Sequence, residues 1–409
     1  MNLSIDSDRL WQRLMDMAAI GATPAGGCNR QALSDLDLAG RQLFESWCLD
    51  AGCTIERDAI GNVFVRRAGT NASTAPVMTG SHLDTQPTGG KFDGVYGVLA
   101  GLEVIETLND HQIETVHPID VVVWTNEEGS RFDCAMMGSL VWSGGMSLEA
   151  ARQLADLDGV TVGAELDRLG VAGTRPFQHN LKAAFELHIE QGPILEAEQV
   201  PVGVVTGVQN MCRYRLRIFG QETHAGPSPM SLRRDPMKTA ALFMNACYSI
   251  AEEHGPDGRV TFGYIHAAPG SPNTVPGTVE LTLDLRHPQQ QQYQGMQQAV
   301  EHAIHEAAEK CGTTYENNRV WEAPGVTFDA HCVEFVRAGA HEAQLPAIDM
   351  VSGAGHDACN VAAVAPISMI FVPCDEGLSH NEAENISQQQ AANGANVLLH
   401  SMIAAASDR

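Results

Sequence analysis

Four short apolar runs constrain this chain most, because each ends at a cluster of histidines and carboxylates. The runs are APVMTGSH, IDVVVWTN, AAFELHIEQG and PISMIFVP. The clusters are Ser81-His82-Leu83-Asp84-Thr85, Thr125-Asn126-Glu127-Glu128-Gly129, Glu186-Leu187-His188-Ile189-Glu190-Gln191-Gly192 and Gly377-Leu378-Ser379-His380-Asn381-Glu382. Unbroken apolar runs rich in β-branched residues read as strands buried on both faces. The helical stretch VLAGLEVIETLND separates the first two. Strand, helix and strand at this spacing predict an α/β unit, with ligand-bearing loops at the strand ends.

The flanks continue the pattern. Residues 8–20 and 31–52 have helical periodicity, and CTIERDAI and VFVRR form a hairpin-like pair around Gly61-Asn62. Residues 148–170 read as one helical, polar-faced stretch. The middle of the chain differs. Strands are expected at 212–220, 259–267, 278–286 and 313–321, with helices at 235–254 and 289–311. That order, β-α-β-β-α-β, is a split βαβ, ferredoxin-like module able to fold as its own unit. After Pro324 alternation returns: helix 331–343, strand 347–352, helix 356–364, strand PISMIFVP and helix 387–405. At about 150 residues per domain, 409 residues exceed one core. A module near 212–327 is therefore expected within a larger α/β domain made of both flanks.

Charge narrows the partners. Twenty-five Lys and Arg against 50 Asp and Glu give a net charge of −25, which argues against nucleic acid or an anionic membrane. It suits divalent cations, and an anionic substrate would need a local Arg or Lys. The ten cysteines are scattered with no C-x-x-C and read as reduced thiols of a cytoplasmic protein. The N-terminal segment is amphipathic and carries Asp, so it is read as neither signal nor transit peptide. No run of about 18 apolar residues is present to span a membrane.

Each cluster alone is ambiguous: a strand-end His is often a satisfied structural residue, and Asp-Gly is turn chemistry. Together they supply three His and two or three carboxylates, the inventory for two borderline divalent ions sharing a bridging carboxylate. His82 and Asp93 are separated by a glycine-rich loop that can fold back onto one ion. Asp84, two residues after His82, is placed to accept its other imidazole N–H. Adjacent Glu127 and Glu128 point different ways, so one can bind metal while the other handles protons. Gly353 and Gly355 lack the rest of a dinucleotide fingerprint, and Gly89-Gly90-Lys91 lacks phosphate-loop spacing.

The motifs G-S-H-L-D-T with G-G-x-x-D-G, N-E-E-G-S-R-F, E-L-H-I-E-Q-G-P, H-A-G-P-S-P-M, S-G-A-G-H-D-A and S-H-N-E-A-E resemble one family. It is the carbamoylase branch of the dinuclear-metal, M20-type amidohydrolases, containing N-carbamoyl-L-amino acid hydrolase, β-ureidopropionase and allantoate amidohydrolase. The resemblance covers most of the chain. It implies a discontinuous α/β metal-binding catalytic domain (1–211 and 328–409) interrupted by a ferredoxin-like α+β lid and dimerisation domain (212–327). A homodimer through that lid is implied with it.

By position, His82, Asp93 and His188 match the ligands of one metal. Asp93, Glu128 and His380 match those of a second, with Asp93 bridging. Zinc is the first expectation, with manganese, cobalt or nickel as alternatives. Glu127 matches the general base and Asp84 the partner of His82. His224 matches a group near the scissile carbonyl, and Asn273 and Arg286 those holding a substrate carboxylate. Gln191 and the backbone of Gly355 match further substrate contacts. Read on their own, His224 can cap a strand end, Asn273 can be a turn residue, and Arg286 can pair with Asp284 or Glu280. Met211 stands where the branch has a polar Gln, so that contact is expected to differ. The implied reaction cleaves the ureido group of an N-carbamoyl-L-amino acid, a small ureido acid, to the amino acid, CO2 and ammonia. Allantoate or β-ureidopropionate hydrolysis, and an M20-type metallopeptidase or aminoacylase, are the alternatives.

Overall fold

The four apolar runs become strands of one large sheet in the structure, a computed structural model describing residues 3–407. The chain divides into two compact units, Met1–Gly207 with Thr327–Arg409, and Val208–Val326. The expected module boundaries, 212 and 327, thus fall at 208 and 326.

In the larger unit the strands lie in the order Thr54–Arg57, Val63–Arg67, Ile119–Trp124, Val77–His82, Ala183–Ile189, Ile367–Val372 and Val202–Val208, and Ala347–Ser352 pairs with the last. Ile119–Trp124, Val77–His82, Ala183–Ile189 and Ile367–Val372 run parallel to their neighbours among these four. All four are buried along their whole length, so both faces of the sheet are covered. Helices Val95–Asp110 and Gln388–Ser407 pack against these strands and each other, with Ser7–Ala18 and Ala330–Glu342 beside them. A second apolar cluster gathers Ile60, Phe132, Met137, Val141 and Leu166.

The expected continuous helix over 148–170 is two short ones, Leu148–Gln153 and Val162–Leu169. Asp156 is the cause. Its carboxylate accepts the backbone N–H groups of Asp158 and Val160, and Gly159 has φ +80°, so a turn outcompetes the helix. Strand Val202–Val208 was not anticipated. Its sequence, VGVVTGV, carries two glycines and is buried without alternation.

The smaller unit places strands Thr314–Ala323, Asn210–Phe219, Thr278–His287 and Arg259–Ala268 side by side in that order, every neighbour antiparallel. This is the strand order of a split βαβ module. Helices Pro236–Glu253 and Gln290–Cys311 bury Cys212, Tyr214, Leu216 and Ile218 of one strand and Val279, Leu281, Leu283 and Leu285 of the next. The intervening residues face the other way and, Thr282 apart, are charged. Arg213 and Arg217 pair with Asp284 and Glu280, and Arg215 with Glu280. Among the described residues no helix is long and apolar enough to cross a membrane.

Candidate metal centre

Register across the large sheet assembles the site. The two central strands pair as far as Thr79 and Phe185, and three residues further on the His82 and His188 rings stand 6.1 Å apart. Trp124 pairs with His82 on one side and Phe371 with His188 on the other. The loops leaving this row carry Glu127, Glu128 and His380. Asp93 precedes the helix Val95–Asp110, and the turn into it requires Gly94: φ is +66°, and a Cβ would lie 2.3 Å from the His82 ring.

His82 Nδ1 lies 2.9 Å from the carbonyl oxygen of Asp84, and His188 Nδ1 2.9 Å from that of Ile189. A carbonyl only accepts, so this bonding assigns the hydrogen to Nδ1 and turns each Nε2 towards the site, where that of His188 also lies 3.2 Å from the Gly94 N–H. Both Nε2 atoms approach Asp93 Oδ1, at 3.5 Å and 3.1 Å. The other oxygen, Oδ2, is 3.5 Å from His380 Nε2, itself 3.3 Å from Glu128 Oε2. His82, Asp93 and His188 form one group able to hold a metal ion, and Asp93, Glu128 and His380 another. One buried carboxylate thus offers an oxygen to each group.

The charge environment fits cations. Burial would lower the His82 imidazole, but Glu127, Asp93 and Asp84 outweigh it and hold it well above its ordinary value. Burial would raise Asp93, yet the two imidazoles hold it well below. Hydrogen bonding to Glu128 raises half-exposed His380 to about 9. Burial, reinforced by Asp357, Glu128 and Asp93 against the opposing His82, drives the Glu127 carboxyl well up. A pocket that keeps Asp93 ionised between imidazoles that take up protons is suited to divalent cations, and its N and O donors match borderline ones.

Two expected contacts take a different form. The Asp84 carboxylate stands 3.9 Å from His82 Nδ1, beyond hydrogen-bond reach. It accepts instead the backbone N–H groups of Glu127 and Glu128, at 3.3 Å and 3.2 Å. Its backbone carbonyl holds His82. The Gln191 amide donates to Asp93 Oδ2 at 2.8 Å and to Ser379 Oγ at 3.0 Å, so it steadies the shared carboxylate. Gly355 is half-buried, and a Cβ there would meet Met136 at 3.3 Å.

His224, Asn273 and Arg286 belong to the smaller unit. The strand Thr223–His224 pairs with Thr274–Val275, bringing His224 opposite Thr274, next to Asn273. His224 is exposed, and its Nδ1 accepts from the Gly226 N–H at 3.0 Å. Asn273 sits in a turn, with Oδ1 accepting from Ser271. Arg286 donates from Nε to Asp284 at 2.6 Å, the surface pairing read as its alternative.

Several residues at the site carried no sequence reading of their own. His356 stacks edge-on to His188, ring centroids 4.6 Å apart, and burial beside His188 keeps it neutral. Glu186, His188 and His356 form a third donor group, but the Glu186 carboxylate is occupied by the Ser81 hydroxyl and the Ala358 N–H. Gln86 holds Glu128 through its N–H and side-chain amide. Position two before His188 on the same strand face was the available signal for Glu186; His356 and Gln86 had none beyond their motifs.

Known proteins resemble this chain over most of its length. Residues 78–404 match the model of Peptidase family M20/M25/M40. The chain is 45% identical to an N-carbamoyl-L-amino-acid amidohydrolase of Rhizobium meliloti, over 98% of this chain and 97% of that one. It is 38% identical to an N-carbamoyl-L-amino acid amidohydrolase of Geobacillus stearothermophilus, over 97% and 98%. A solved amidase of the hydantoinase/carbamoylase family from Burkholderia multivorans superposes with a TM-score of 0.98 at 50% identity, covering 100% of both chains.

Proposed function

The chain belongs to Peptidase family M20/M25/M40 and is a hydrolase of amide C–N bonds, and we propose that it cleaves the ureido group of an N-carbamoyl-L-amino acid. The observation that carries the reading is Asp93, whose two oxygens face two separate donor groups. Two divalent ions are held in this reading, one by His82, Asp93 and His188 and one by Asp93, Glu128 and His380, with zinc, manganese, cobalt or nickel admissible by donor type. When bound they supply Lewis acidity towards the carbamoyl oxygen and acidify water.

Glu127 takes the proton from the attacking water and returns it to the departing amino-acid nitrogen. Asp84 holds its backbone, so the carboxyl is aimed rather than free. The C–N bond to the amino acid breaks, and the carbamic acid released gives CO2 and ammonia. The smaller unit is proposed as the lid and dimerisation element, with His224 stabilising the oxyanion and Arg286 and Asn273 gripping the substrate carboxylate. Gln191 and Gly355 complete the binding of the small ureido acid.

The test is a substrate panel on the metal-loaded protein: N-carbamoyl-L-amino acids, allantoate, β-ureidopropionate, N-acetyl amino acids and dipeptides, assayed for ammonia and free amine. Ammonia together with amino acid from the first class is expected. Turnover confined to N-acetyl amino acids or dipeptides would overturn the assignment, and turnover confined to allantoate or β-ureidopropionate would move it within the ureido acids.

A further inference from the structure

Two loops far apart in sequence carry Asp93 and His380, and one buried side chain unused by the reaction above sits between them. Glu384 is 1% exposed. Its Oε1 accepts the backbone N–H groups of Phe92 and Asp93, both at 3.1 Å. Its Oε2 lies 3.0 Å from the Ser379 hydroxyl, which lies 3.1 Å from Asp93 Oδ2. The Asp375 N–H closes the second loop onto the Asn385 carbonyl at 2.9 Å, so Glu384 cannot drift from His380. The first loop is cut to receive it: a Cβ on Gly90 would stand 2.0 Å from Oε1. One carboxylate therefore ties the backbone of Asp93 to the residue preceding His380.

We propose that Glu384 is a positioning residue of the metal centre, clamping the 89–94 and 375–385 loops so that Asp93 Oδ2 and His380 Nε2 stay aimed at the same point. The inference rests on the reading of Asp93 and His380 as ligands. It concerns the Asp93, Glu128 and His380 group more than the other, because His82 and His188 are held by the sheet. Outer groups that orient ligands change metal affinity by about 10–100-fold.

The experiment measures Zn2+ affinity of the two sites by chelator competition on the full-length protein, with the thermal midpoint of each apoprotein alongside. Glu384→Ala is expected to weaken the second site 10–100-fold and leave the first within threefold. Glu384→Gln retains an acceptor for both amides and can donate to Ser379, so it should recover most of the affinity. Ser379→Ala removes one anchor without touching the Phe92 and Asp93 amides, and decides the matter should Glu384→Ala not fold; a fivefold or greater weakening of the second site is expected. Both affinities unchanged in every variant that folds, or equal losses at both sites, would overturn the proposal. A wild-type protein that binds no Zn2+ would instead overturn the ligand reading beneath it.

Discussion

Asp84→Asn separates two jobs that one residue can do. The Asp84 carboxylate accepts two backbone N–H groups, from Glu127 and Glu128, while its carbonyl oxygen holds His82. Asn keeps the carbonyl and one side-chain acceptor, but its NH2 group must face the other amide. A buried N–H then loses its partner, at about 1–3 kcal/mol. Burial holds the carboxyl up to about 6, against an ordinary 3.8. Its ionised form near pH 7.5 therefore costs about 3 kcal/mol, which Asn removes at about 1.4 kcal/mol per pKa unit. The two effects offset, and the apoprotein's thermal midpoint should shift by only a few degrees. The Glu127–Glu128 turn, entered by Asn126 at φ +56°, bears the loss. Misaiming Glu127 by the orphaned bond predicts about a 5- to 150-fold fall in kcat at saturating metal, at about 1.36 kcal/mol per tenfold, with metal affinity at the His82 site unchanged. Steady-state kinetics with parallel chelator titration measure both. A fall in His82-site affinity, with normal kcat once the site is saturated, would refute this account and restore the carboxylate as the partner of His82.

Glu127→Gln should keep the fold and both metals while turnover falls by at least about 10²-fold, the low end for general acid–base catalysis; near-wild-type kcat would remove Glu127 from that role. Asp93→Ala should lower metal content at both sites and His380→Ala mainly at one, as read by elemental analysis. Arg286→Lys should cost about 30–1000-fold in kcat/KM for an N-carbamoyl amino acid, since Lys cannot reproduce a planar two-point grip, and little for its amide. Equal losses would mark the Asp284 pairing as structural. Asp58, buried in the turn before Asn62, is pushed up to about 6 by that burial. A raised carboxyl lends stability below its unfolded value that is lost as pH climbs through about 6. The thermal midpoint of wild type relative to Asp58→Asn should therefore decline between pH 4 and 7.5; a flat difference would contradict it.

What the sequence disclosed and what it hid have physical reasons. The gathering of His82, Glu128, His188 and His380 was legible because each lies at or beyond the end of a buried strand, and parallel strands bring such ends to one edge of the sheet. Asp93 was legible through its glycine loop, where Gly94 has no room for a side chain. Asp84 misled: spacing placed its carboxylate near His82, whereas two amides arriving from the Glu127 turn capture it. Glu384 and His356 stayed hidden because their partners lie up to 292 positions away and no local pattern encodes that approach. The smaller unit showed its strand order through clean alternation, as in TVELTLDLR. Strand Val202–Val208 has no such alternation and escaped notice, while Asp156 broke a helix that periodicity alone had favoured.

The strand Ile367–Val372 lies between Ala183–Ile189 and Val202–Val208, although it is made long after both. During synthesis the growing chain must hold a gap in the centre of its sheet until this strand arrives. His380 follows only eight residues behind the strand's end, so the donor groups are completed at nearly the moment the gap is filled. A chain released before that point retains two exposed strand edges, the kind of surface that invites association with other chains. It also lacks one of the donors around Asp93. For this topology, closure of the sheet and completion of the donor set around Asp93 are coupled, because both wait on the same short stretch of chain.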